Sequence, residues 1–191
     1  MFKKKITIIF ILALLYQSPL LSKSTSFNEL NSKNLSKYFS GIIAFENKDN
    51  SQALNFFSSS KILLNRHEAY LKKLVMSLVL EDKVARAINY IKTNSKKNNS
   101  EFFEAYILLV LDSLKKNNID KAIKILSSVP KELQEDRFNF IIVNSLIQYV
   151  DIFKNKKIKN ETKNFGDLSL ISETFQRCHI DDKNTDSSFL E

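Results

Sequence analysis

The sequence predicts an all-α chain built of stacked helix pairs, and three observations carry that expectation. Glycine and proline occur only twice each in 191 residues, too few for a β-sandwich or an α/β fold, whose many turns depend on them. Fifteen phenylalanines and six tyrosines, with no tryptophan, supply large apolar side chains for helix packing. The third observation is a stretch that returns. NKDNSQALNFF from Asn47, LEDKVARAINYI from Leu80 and KNNIDKAIKIL from Lys116 each set a polar turn before an alanine, an apolar residue beside it and another four positions on.

The first element, residues 1–24, reads as a Sec-type signal peptide: Lys3 to Lys5, then the apolar run Ile6 to Tyr16, then a polar exit containing Pro19. Eleven residues at about 1.5 Å each cover roughly half of a ~30 Å hydrocarbon core, which argues against a stable membrane span. Cleavage after Ser22 or Ser24 is expected; an uncleaved inner-membrane anchor is the alternative, because the usual A-x-A pattern is missing. The expected address is therefore exported or periplasmic, in a bacterium. The single cysteine, Cys178, does not follow the apolar run as a lipid-bearing cysteine would, and it cannot form an internal disulfide. Stability must then come from helix packing.

Next comes the repeat. Ala53, Ala87 and Ala122 stand 34 and 35 residues apart, a period that marks helical solenoids. One step on are Leu54, Ile88 and Ile123; four steps on are Phe57, Ile91 and Leu126; twelve steps back are Gly41, Val75 and Val110. Residues at i, i+1 and i+4 share one stripe of a helix, and a small alanine in that stripe lets the neighbouring helix come close. Polar breaks at Lys48-Asp49-Asn50, Asp82-Lys83 and Asn117-Asn118 precede the alanines, and apolar helices precede the breaks. This gives helix–turn–helix units at residues 34–67, 68–101 and 102–136. Residues 137–154 read as the first helix of a fourth unit, 155–166 as a lysine- and asparagine-rich loop, and 167–191 as a further helix and tail. A plain antiparallel bundle of similar helices is the alternative architecture. No polar capping helix closes the array, so the chain is expected to be the N-terminal part of a longer repeat protein.

These residues resemble the tetratricopeptide repeat over about residues 34–135. Gly41, Ala53, Phe57 and Ser60 match that family's small residue, alanine, large apolar residue and second small residue. Val75, Ala87, Ile91 and Asn94, and then Val110, Ala122, Leu126 and Val129, match in part. Tyr106 alone supplies the early aromatic, and Asn65, Asn99 and Gln134 replace the closing proline. More loosely, the chain is similar to the start of periplasmic tetratricopeptide proteins of α-proteobacteria. The resemblance implies a right-handed solenoid whose concave groove is lined by the first helix of each unit. In this sequence those positions are Leu35, Tyr38, Ile42 and Phe45, then Ala69, Lys72, Met76 and Val79, then Glu104, Ile107, Leu111 and Leu114. So apolar a lining suits an apolar segment of another protein better than an acidic terminal peptide.

Other chemistry is weakly supported. The net charge is +8, and taking Lys3, Lys4 and Lys5 from it leaves +5. Those lysines are scattered, with only Arg66, Arg86, Arg137 and Arg177 as arginines, so no nucleic-acid partner is expected. Cys178-His179 are adjacent and point about 100° apart on a helix, which keeps a nucleophile from its base. Asp182, Asn184 and Asp186 alternate like the opening of a calcium loop, but Ser187 stands where the loop needs glycine. No metal or cofactor is expected, and the expected function is a non-enzymatic protein-interaction scaffold. The alternative is a structural piece of a longer protein whose groove packs internally or in an oligomer.

Overall fold

The computed structural model describes residues 32–65, 67–94, 101–158 and 167–188; the expected signal peptide lies outside them. Among the described residues every regular element is helical, so the chain is all-α. α1 spans Ser32–Glu46, α2 Asn50–Ser59, α3 Glu68–Leu80, α4 Val84–Asn94 and α5 Phe103–Lys115. α6 spans Ile119–Ser127, α7 Arg137–Asn155, α8 Asp167–His179 and α9 Thr185–Ser188. Short 3₁₀ turns at Lys61–Asn65 and Glu132–Gln134 lead into α3 and α7. Helices pack chiefly on their immediate neighbours in the chain. No helix among the described residues is long and apolar enough to cross a membrane.

The polar breaks of the repeated pattern are one backbone geometry used three times. Lys48, Asp82 and Asn117 are left-handed, with φ of 63°, 56° and 55°, a conformation that costs an L residue about 1–2 kcal/mol. A pair of hydrogen bonds offsets that cost by closing the preceding helix. The amide of the left-handed residue donates three residues back, from Lys48 to Phe45, Asp82 to Val79 and Asn117 to Leu114, at 2.8–3.1 Å. The next amide donates five residues back, from Asp49 to Ala44, Lys83 to Leu78 and Asn118 to Ser113, at 2.8–2.9 Å. That next residue also opens the second helix. Asp49 and Asn118 accept from the amides of Gln52 and Lys121 at 3.1 Å, satisfying amides the helix cannot. Lys83, in the same place, has no acceptor to offer.

A fourth copy of this turn lies where the sequence suggests only a tail. Asp181 has φ 55°, its amide donates to Cys178 at 3.3 Å, and that of Asp182 donates to Arg177 at 3.0 Å. Asp182 Oδ1 then accepts from the Asn184 amide at 2.9 Å. The copy is hidden in the sequence because Asp186 stands where the others carry alanine.

Those alanines sit between helices. Ala53, Ala87 and Ala122 are fully buried. Gly41 marks another close approach: a Cβ there would lie 2.8 Å from Phe57 Cε1. The first core patch joins α1 to α4 through Tyr38, Phe57, Tyr70, Leu74, Leu78 and Ile91. The second joins α5, α6 and α7 through Val110, Leu126, Val143 and Val150. Ion pairs such as Lys73–Glu46 at 2.9 Å and Lys154–Asp120 at 2.7 Å tie neighbouring units. Exposed pairs of this kind contribute about 0–1 kcal/mol each, so apolar burial dominates.

Tyr70 gives the first patch a pH dependence. It is fully buried, its hydroxyl donates to the Phe57 carbonyl, and burial pushes its pKa up to about 12 from the ordinary 10.0. Folding raises this pKa, so the associated stability is intact below pH 10 and is lost as the pH climbs toward 12. The thermal midpoint is expected to fall more steeply across that interval in the wild type than in Tyr70→Phe. Equal slopes in thermal melts would show that this proton is not linked to folding.

Candidate functional site

An open groove of about 380 Å³ lies between α3, α5 and the beginning of α7. α3 contributes Met76 and Val79; α5 contributes Phe103, Glu104, Ile107 and Leu108; α7 contributes Phe138, Asn139 and Ile142. The helix period explains the α3 wall: Leu74, Val75 and Leu78 are fully buried, which leaves Met76 and Val79 half-buried at the edge of the core. On α7 the local geometry places Phe138. Asp136 caps the helix by accepting from the amides of Phe138 and Asn139 at 2.9 and 3.0 Å. The Asn139 side chain donates to the Leu133 carbonyl at 2.9 Å. Phe138 is left 70% exposed, an open apolar edge of the groove. The one acidic wall residue, Glu104, holds Lys72 Nζ through Oε1 at 2.8 Å. Its Oε2 is buried with no hydrogen-bond partner among the described residues.

Of the residues expected to line a groove, the structure brings together Met76, Val79, Glu104 and Ile107. Tyr38 is a correction. It is 2% exposed, with its ring centre 4.7 Å from that of His67 and 5.8 Å from that of Tyr70, and burial pushes its hydroxyl above the ordinary range. The surrounding rings of Phe57, His67 and Tyr70 make this a core position. Ile42, Phe45 and Leu35 pack on the first core patch and Leu114 on the second, while Lys73 Nζ sits 4.5 Å above the Phe45 ring. Leu111 is exposed and outside the lining, as are Ala69 and Lys72. Gly41, Ala53, Phe57, Ala87, Ile91, Ala122 and Leu126, expected to pack helices together, are all buried. Sequence reasoning missed Phe103, Leu108, Phe138 and Ile142. The signal for the last two was their spacing of one helical turn at the start of RFNFIIVNSL, which repeats the opening of a first helix.

The remaining candidates lie on α8 and the turn after it. Cys178 is exposed. The His179 ring stands edge-on to Phe153 at 4.5 Å, and its Nε2 lies 3.2 Å from Lys156 Nζ, which turns it toward α7. Asp182 is occupied as a cap and accepts from Arg177 Nη1 at 3.1 Å. The Asn184 amide and then the Arg177 guanidinium hold its carboxyl below the ordinary range. Among the described residues no three histidines, cysteines or carboxylates converge as metal ligands. What the groove offers is preformed apolar surface beside one ion pair. No protein-family model matches the chain, and neither a curated protein nor a solved structure matches it.

Proposed function

We propose that the chain is a non-enzymatic, exported scaffold of tetratricopeptide-like helix pairs, stacked as a right-handed solenoid, that holds an apolar segment of another protein. The observation that carries this reading is the groove between α3, α5 and α7, to which each wall brings apolar side chains. The recurring left-handed turn at Lys48, Asp82, Asn117 and Asp181 supports the stacked-pair architecture. Binding would bury partner side chains against Met76, Ile107 and Phe138 on a surface already in place, so little of the gain is spent on ordering the scaffold.

A photoreactive residue at Met76 or Ile107, placed in the chain in its native envelope, tests the reading. A discrete adduct is expected from both groove positions and not from Asn55, which is exposed on α2. Ile107→Asp should lower capture at Met76 roughly tenfold or more, the scale of a lost interface anchor, with helicity unchanged. Equal labelling from Asn55, or no adduct at either groove position, would overturn it.

A further inference from the structure

α8 is built inside out. Ser172, Thr174 and Gln176 are buried at 8%, 5% and 1% exposure, whereas Leu168, Ile171 and Phe175 are 55%, 53% and 58% exposed. Ser172 and Gln176 lie one turn apart, and the Gln176 amide donates to Ser172 Oγ at 2.9 Å, a polar contact within the helix. Leu168, Ile171, Phe175 and the exposed Cys178 follow one another at helical spacings of three, four and three, which puts them on one stripe. A helix in water is stable with its faces the other way round. The stripe is therefore a surface that something covers.

We propose that it is covered by the same stripe of a second copy of this chain, the two α8 helices lying antiparallel about a twofold axis. The stripe is self-complementary. With the axis at Glu173, Ile171 faces Phe175 of the second copy and Leu168 faces Cys178 of the second copy. Its extent is sufficient: about half of each side chain is open, on the order of 100 Å² for groups of this size. Together with Phe153, whose ring touches His179, each copy presents roughly 400 Å² of apolar surface. Interfaces are about 60% apolar, so the pair would bury about 1,300 Å², at the lower end of the ~1,200–2,000 Å² of specific complexes. Its charge is compatible. Glu173 and Arg177 lie on the side of α8 away from the stripe and pair with each other, so the twofold sets neither against its copy.

The test uses the full chain, purified as its host exports it. Sedimentation equilibrium is expected to show a monomer–dimer equilibrium, and Phe175→Asp to weaken it roughly 30-fold or more, the cost of losing a central anchor. Leu168→Cys gives a second readout independent of that variant's folding. Positions 168 and 178 of one helix are about 15 Å apart, beyond the reach of a disulfide, but the antiparallel pairing sets them opposite each other across the axis. Mild oxidation should convert Leu168→Cys, and not the wild type, into a reducible covalent dimer. A chain that stays monomeric at every concentration, a dimer indifferent to Phe175→Asp, or a Cys178–Cys178 link in the wild type would each overturn the proposal.

Discussion

Truncating Phe57 to alanine is expected to lower the unfolding free energy by about 3–5 kcal/mol, a large part of the ~5–15 kcal/mol that native domains hold. The ring is fully buried, with its centre 5.9 Å from that of Tyr38 and 6.2 Å from that of Tyr70. Neighbours cannot easily refill its volume. Gly41 has no side chain to lend, and Tyr70 is anchored through its hydroxyl to the Phe57 carbonyl, which the truncation leaves in place. Urea unfolding followed by circular dichroism should show a lower midpoint with an unchanged slope. A loss below about 1 kcal/mol would mean that the first core patch collapses into the hole, contrary to the cavity argument.

The second large effect comes from adding volume. Ala87 is fully buried on α4, which packs on α3 before it and α5 after it. Ala87→Leu should cost about 1–3 kcal/mol by forcing those helices apart. The melting temperature should fall by several degrees, while Arg86→Leu, one exposed step away, serves as the control and should stay near the wild type. An unshifted Ala87→Leu would show that the interhelical space is larger than the zero exposure of Ala87 implies.

These two residues show why part of the fold was legible in the sequence. An alanine between closely approaching helices has few substitutes, so the spacing of Ala53, Ala87 and Ala122 stands out although the residues around them differ. The turns were legible only as polar breaks. Lysine, aspartate and asparagine at the left-handed position leave no common letter, and the turn at Asp181 lacks its alanine, so it passed for a tail. The groove was legible in its middle, at Met76, Val79 and Ile107, where the helix face toward the core is filled by larger apolar residues. It was misread at its start. Tyr38 was expected in the groove, yet it is buried among the rings of Phe57, His67 and Tyr70, and periodicity alone cannot weigh such local packing. On α8 the pattern shows an amphipathic helix but not which face turns inward, because that depends on how α7 receives it.

The packing of helices chiefly on their immediate neighbours in the chain bears on how the chain reaches this state as well as on what holds it there. Contacts made between neighbours in sequence close short loops, whose entropy cost is small. Such topologies have low contact order, and helical proteins of that kind fold in about microseconds to milliseconds. Each hairpin can therefore form as soon as both of its helices are free to meet, without waiting for distant parts of the chain.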